Sequence, residues 1–500
     1  MQTSQKHHHS SGFDNFYQTT DSRTGSDNGS TGSHSSYPAS NVQIFTLESY
    51  DVTDSYMAYD SPVAASVSSY MSPVSFSSQG SQSILSEHYR SPENTCESLF
   101  TGYPAIAENP SAVLIRNQII ERSKKLGMKE LLIWCAQAVS GADSFTAAIL
   151  IDMLDQRVSV CGEPIQRVGA YMLEGLKARL EESGIKIYRS LHCNEPTSPE
   201  LLTSMGLLYQ ICPYWKFAYL SANVVIGEAA ENESRIHILD FQIAQGSQWA
   251  LLIQALAQRP GGPPHIRITG VDDHQSTKAR GGGLEMVGEK LSKLAASLNV
   301  PFEFHDAEMT DFNFSVQLQN LLIYPSEALI VNFPYVLHHM ADESVSTVNH
   351  RDQLLRLIKG YSPKVVTLIE QESNTNTAAF VPRFIETLDY YTAMFESIDV
   401  KLPKDDDNRI RAEQNCVARD IVNMIACEGA ERVERHEVLG KWRARLSMAG
   451  FTQYPLSPTV AEVIKNMLND YSGNYKLAED KGALILSWKN RAMSTSSAWR

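Results

Sequence analysis

The 500-residue chain has no C-x-x-C pair among its seven cysteines, Cys96, Cys135, Cys161, Cys193, Cys212, Cys416 and Cys427. Nor do Cys and His form a quartet at zinc spacing, so metal chemistry has no support in the sequence. The odd number of scattered thiols predicts reduced cysteines in cytosol or nucleus. No stretch approaches the roughly 18 to 20 apolar residues that cross a bilayer. The polar opening Met1–His9 lacks the apolar core of an export signal, and its three histidines read as a chance run in a tail. G-x-G-x-x-G, G-x-x-x-x-G-K, G-x-S-x-G and H-E-x-x-H are all missing, which removes the motif-borne nucleotide, esterase and metalloprotease readings. Basic charge is short as well: 43 Lys and Arg against 57 Asp and Glu give a net charge of −14. Residues 1–110 hold three basic and eleven acidic side chains, leaving 40 against 46 in the remainder. Whole-molecule attraction to DNA is therefore excluded, and any phosphate contact needs a local patch.

What is present divides the chain at about residue 110. Residues 1–110 are dominated by Ser, Thr, Tyr, Gly, Asn and Asp, too poor in aliphatics to offset ordering entropy, and are expected to be a disordered tail. Within it, Ile44–Tyr50 and Tyr56–Tyr59 mix aromatics with acids, a composition suited to folding onto a partner. Ser61-Pro62, Ser72-Pro73 and Ser91-Pro92 are candidate phosphorylation sites. From Ser111 an apolar spacing of three and four predicts helices over Arg116–Val139, Ser144–Val158, Pro164–Glu182 and Leu201–Ala229, a helical cap spanning 111–232.

After Glu233 strands and helices alternate. Short apolar runs predict strands at Arg235–Phe241, Ile266–Val271, Phe302–His305, Ala328–Phe333 and Lys364–Glu370. Helices are expected at Trp249–Gln258, Leu284–Leu298, Phe314–Leu322, Val345–Lys359, Ala378–Phe395 and Gln414–Glu428. Glu479–Gly482 then separates two strand-like runs as a hairpin. The predicted class is α/β: a methyltransferase-like Rossmann sheet covered by helices over 233–500, beneath the cap.

Ligands of such sheets sit at the carboxyl ends of the strands. There stand Asp240, closing the first strand, Gly246 in the following loop, and Asp272 with Asp273 closing the second. Gln242, Gln245, Ser247 and Gln248 either bind a small polar ligand or simply cap and close the loop. Against a dinucleotide site, only one of the glycines is present and Asp272 lies 32 residues beyond Asp240 instead of about 20. His237, alternating with isoleucines, reads as a hydrogen-bonded core residue. His338-His339 with Asp306 and Glu308 offer a weaker acid–base alternative. For DNA, Arg432, Arg435, Lys441, Arg443 and Arg445 are the candidate phosphate contacts. Interleaved Glu431, Glu434 and Glu437 favour a salt-bridged face instead. Lys278 and Arg280 form a second, weaker basic spot.

From Ser111 to Arg500 the chain closely resembles the GRAS family of plant regulators. Ile236, His237, Ile238, Leu239 and Asp240 resemble its VHIID signature, flanked by two leucine-rich helical regions. Ser362–Lys364, Phe380–Phe384, Arg419-Asp420 and Glu431–Arg435 resemble its PFYRE-type region. Trp442, Gly450-Phe451, Trp488 and Ser497–Trp499 match its closing SAW region. Asn332–Met340 and Gln371–Thr377 resemble the branch associated with phytochrome signalling, with its scarecrow-like and chitin-inducible, gibberellin-responsive members. The Asp-Glu-Leu-Leu-Ala pattern of the DELLA branch is absent. The resemblance implies a transcription regulator of light, hormone or stress signalling, shared between nucleus and cytoplasm, with no enzymatic activity, cofactor or membrane contact. Its implied partners are other transcription factors or GRAS chains, met through the cap as homo- or heterodimers, and promoter DNA, reached directly or through a partner. The competing reading is a ligand-responsive or residual methyltransferase-like protein using Asp240, Gly246 and Asp272.

Overall fold

Residues 110–181, 198–273, 283–310, 315–316 and 322–500 are described by a computed structural model. The expected tail with its Ser-Pro sites, and Lys278 with Arg280, lie outside the described residues. The cap begins with α1 (Pro110–Ser123), α2 (Met128–Ser140), α3 (Ser144–Asp155) and α4 (Pro164–Leu180). It ends with α5 (Ser198–Ile211) and α6 (Tyr214–Ala229). Two expected helices are each broken in two. Gly127 caps α2 in extended backbone, and Pro213, which has no amide hydrogen to donate, caps α6. Asp143 caps α3 by accepting from the Thr146 amide at 3.0 Å, which fixes the α2–α3 corner.

A ten-stranded sheet follows: β1 (Arg235–Asp240), β2 (His265–Asp273), β3 (Phe302–Thr310), β4 (Ser315–Val316), β5 (Ala328–Pro334), β6 (Val365–Gln371), β7 (Gln453–Tyr454), β8 (Tyr475–Asp480), β9 (Ala483–Trp488) and β10 (Arg491–Trp499). Its order is β4-β3-β2-β1-β5-β6-β10-β9-β8, with β7 on β10. β3, β2, β1, β5 and β6 run parallel. β10 enters antiparallel between β6 and β9. This is the methyltransferase-like Rossmann arrangement, and its order reverses between β1 and β5, the switch point where such sheets place ligands. β10 was not foreseen: Ser494–Ser497 is small and polar and gives no apolar run. Nor was β4, whose Ser315 and Val316 pair with Thr310 and Met309 where a helix over Phe314–Leu322 was expected.

Helices α7 (Ser247–Ala257), α8 (Gly283–Ser297), α9 (His350–Gly360) and α10 (Phe380–Asp399) connect the strands. They are followed by α11 (Asp407–Glu413), a π turn at Gln414–Ala418, α12 (Arg419–Ala426), α13 (Leu439–Met448) and α14 (Pro458–Leu468). The alternating strand residues feed two cores. Ile236, Ile238 and Ile330 join the cap side. Leu239, Val331 and Phe333 join Leu355, Trp442, Leu446 and Trp499 on the opposite face. The cap is not a closed sequence block, because α4 packs on both α10 and α12. There a methyl added to Gly175 would lie 2.7 Å from Ile425 Cβ. Buried Arg167 ties the same seam, reaching Asp399 at 2.8 Å and Glu413 at 3.2 Å.

Candidate functional site

At the switch point the chain closes on itself. Asp240 is 1% exposed. Its carboxylate accepts from Trp249 Nε1 at 2.6 Å and from Asn332 Nδ2 at 3.0 Å. Burial pushes its pKa up to about 7 against these bonds, and Asp272 adds to the rise. Asn332 also donates to Gln248 Oε1 at 3.1 Å and accepts from Thr367 at 2.7 Å, while Gln248 and Asn223 bond each other. The Gln242 amide faces the carbonyls of Pro334 and Tyr335, its nitrogen donating at 2.7 and 2.9 Å. A polar network thus knits α6, β1, α7, β5 and β6 from inside.

Gly246 has φ 77° and caps α7. In a nucleotide site the missing side chain would admit a ligand. Here a methyl on Gly246 would meet Val287 Cγ1 at 2.9 Å and Leu291 Cδ1 at 3.2 Å. Similarly, one on Gly270 would lie 2.9 Å from Ile243 Cδ1. The cradle is filled by α8 and by the loop itself, so these residues do not fit the adenosyl cofactor that the sheet type implies. Asp272 is buried, two residues beyond the Gly270 that pairs with Asp240. His237 bonds Thr269 at 2.8 Å and Arg267 at 3.0 Å, and burial with the Arg267 charge lowers its pKa to about 4. It is a neutral core histidine.

A second polar cluster lies past the ends of β5 and β6. After β5 a 3-10 turn presents His338 and His339. Glu370, on β6, accepts from the Leu337 amide at 2.8 Å and from His338 Nδ1 at 2.6 Å. The irregular stretch 432–438 threads beneath and brings Glu434 to all three nearby rings: His338 at 3.3 Å, His339 at 3.2 Å and His436 at 3.4 Å. Burial opposes a charge on His338, but Glu370 and Glu434 prevail and push its pKa up to about 10. Burial and the neighbouring His338 hold His436 down to about 4. Asp306 takes no part: it is exposed on β3, separated from β5 by β2 and β1. The acid–base pairing expected of it with the histidines is thereby corrected.

Three of the five residues of the basic patch expected over Arg432–Arg445, namely Arg432, Arg435 and Arg445, do not face solvent. Arg445 Nε and Nη atoms reach Glu437, Asp342, Glu343 and Asp352 at 2.5 to 2.9 Å. Arg432 donates to the Thr375 and Asn376 carbonyls at 2.8 and 2.9 Å. Arg435 is 2% exposed and donates to the His339 carbonyl at 3.3 Å. A guanidinium held inside by carboxylates and carbonyls cannot reach a phosphate without unfolding, so these three arginines are corrected from DNA contacts to internal braces. Lys441 and Arg443 are half-buried. Lys441 bonds Asn374 and Thr377, and Arg443 pairs with Asp480 at 2.7 Å.

Residues 128–500 match the GRAS domain family. The chain belongs to that family. It is 53% identical to Scarecrow-like protein 13 of Arabidopsis thaliana, over 100% of this chain and 99% of the relative. The scarecrow-like transcription factor PAT1 of the same plant is 59% identical over 76% of this chain and 78% of its own. Chitin-inducible gibberellin-responsive protein 2 of Oryza sativa subsp. japonica is 59% identical over 75% and 68%. Among solved structures, SCL7 of Oryza sativa superposes with a TM-score of 0.66 at 34% identity, covering 75% of this chain and 100% of that one.

In this GRAS chain the VHIID-like strand is the central β1, and its Asp240 is an internal bracket. Ser497–Trp499 lies in β10, where Trp499 packs beside Trp442 in the second core. The sequence reading picked out His338 and His339 but did not join them to their partners Glu370, Glu434 and His436, because the members sit far apart in the chain, at 338–339, 370 and 434–436. The readable signal was Glu370, a carboxylate at the end of the apolar run Val365–Ile369, where nothing but a buried partner would hold it. Among the described residues no helix is long and apolar enough to cross a membrane.

Proposed function

We propose that the chain is a GRAS-type transcription regulator that works through its surfaces, chiefly by binding other proteins. The observation that carries this reading is its kinship along nearly its whole length with scarecrow-like proteins, one relative being a transcription factor by name. The packing at the switch point supports it, since Val287 and Leu291 press on the Gly246 backbone and Ile243 on that of Gly270, the close approaches that a cofactor would otherwise make. On the cap, Val113, Leu114 and Ile115 are 42%, 59% and 48% exposed on α1, a contiguous apolar turn suited to a second GRAS chain or another factor. Arg116, Arg122, Lys124 and Lys125 lie exposed nearby and suit nuclear import, with a cytoplasmic pool. Promoter DNA is reached mainly through the partner, because only Lys441 and Arg443 of the C-terminal basic stretch are near the surface. The signalling context proposed for it is light, hormone or stress signalling, the hormone and stress part supported by relatives named as chitin-inducible and gibberellin-responsive.

The test is a promoter-reporter assay in plant cells with co-precipitation of bound factors. Leu114→Glu with Ile115→Glu should leave the melting temperature within a degree or two and cut partner recovery and reporter response together. Unchanged recovery and response in a folded, equally abundant variant would refute the role of α1.

A further inference from the structure

We propose that His338, His339, His436 and Glu434 form a binding site for a divalent transition metal of the zinc class, with Glu370 as its outer support. This is independent of the regulatory reading.

The donor set is imidazole and carboxylate, the set that suits zinc and its neighbours better than calcium or magnesium. His338, His339 and Glu434 bring ligand atoms within 4.8 Å of one another, as do His338, Glu370 and His436. The finer spacing is more telling. Glu434 Oε2 lies 3.3 Å from His338 Nε2 and 3.4 Å from His436 Nε2, and Oε1 lies 3.2 Å from His339 Nε2. Each of these histidine–glutamate spacings is close to the roughly 3.3 Å between two ligands that stand about 2.0–2.1 Å from a tetrahedral zinc, and the His338 ring lies 4.1 Å, centroid to centroid, from both His339 and His436.

The outer shell has the form that metal-bound histidines use. Glu370 Oε2 takes the proton of His338 Nδ1 at 2.6 Å, which leaves Nε2 turned toward Glu434. His436 supplies an independent sign. It is 1% exposed, its Nδ1 meets no hydrogen-bond partner, and its Nε2 faces only Glu434 Oε2, at 3.4 Å. A buried polar atom left without a partner destabilises the fold unless something meets it. The backbone holds the ligands in place: the Arg435 amide donates to the His338 carbonyl at 3.2 Å, and the Thr375 and Asn376 amides donate to the His436 carbonyl at 3.1 Å. His339 is one-third exposed and provides the way in.

The competing occupant is a proton, giving an imidazolium at His338 between Glu370 and Glu434. Titration of the chelator-treated, dialysed full chain with Co²⁺ separates the two. The metal site predicts one equivalent bound with the intense visible bands of four-coordinate cobalt, bleached by Zn²⁺. His339→Ala, at the partly exposed ligand, should lose those bands while keeping its circular dichroism. Glu370→Gln should weaken binding roughly 10- to 100-fold. Folded wild-type protein that takes up no Co²⁺, or bands that persist in both His339→Ala and His436→Asn, would overturn the site.

Discussion

Asp240 shows how a residue that reads as a ligand anchor becomes a structural bracket. Its carboxyl is enclosed, bonded to Trp249 and Asn332, and its pKa is raised from 3.8 to about 7 chiefly by burial. A folded-state value above the unfolded one means that the folded chain binds the proton more tightly. Stability is therefore undiminished below pH 3.8 and falls as pH rises toward 7, by on the order of 4 kcal/mol for three units. Asp240→Asn removes that dependence. Urea unfolding at pH 5 and pH 8 should show the variant gaining on wild type at the higher pH; equal gaps at both would disprove the assignment. Arg445 makes the opposite case, a cation whose partners are all carboxylates. Arg445→Ala removes the cation shared by Asp342, Glu343, Asp352 and Glu437, leaving Arg351 as the buried counter-charge of Asp342 and Glu437, and should cost about 3–5 kcal/mol in denaturant titration. A surface arginine would cost almost nothing.

Among the elements, the seam between α4 and α12 joins the cap to the second half of the chain. Gly175→Ala places a methyl against Ile425, and the expected loss is about 1–3 kcal/mol from crowding, less up to about 1 kcal/mol of helix propensity. Hydrogen exchange should accelerate in α4 and α12 together; acceleration in α4 alone would show that the cap opens independently. The sequence could not reveal this pairing, because the helical period marks an apolar face without naming what covers it. The parallel strands were readable for the contrary reason: Ile236–Leu239 and Leu329–Phe333 are short, mostly apolar runs, each broken by a single polar residue, His237 or Asn332, as suits a sheet covered on both faces. β10 was not readable, since its Ser494–Ser497 is buried by strand pairing on both sides and not by apolar character. The arginine braces were missed because charge interleaving on a supposed helix face looks alike whether it faces water or the interior. The stretch 432–438 turned out to be irregular and enclosed, leaving only α13 helical.

Across the whole molecule, a Rossmann-type frame keeps its topology and fills its ligand crevice. Side chains from α8 and the β1–α7 loop pack against the Gly246 and Gly270 backbone, and the polar groups of the strand ends bond one another. Charge follows the same inward logic, with Arg445 held by internal carboxylates and Arg432 and Arg435 by backbone carbonyls, leaving a net −14 chain no strong field for DNA. Direct DNA affinity of residues 110–500 should therefore be weak and unaltered by Arg443→Glu, as judged by fluorescence anisotropy at physiological salt; a large loss would restore the patch. The central claim, that the switch point holds no cofactor, is tested most directly by equilibrium dialysis of S-adenosylmethionine against the full-length protein, paired with thermal unfolding. No saturable binding and no shift in unfolding are predicted. Saturable binding that adds about 2.7 kcal/mol of stability at a hundredfold excess over its dissociation constant, and that disappears in Asp240→Asn, would contradict it.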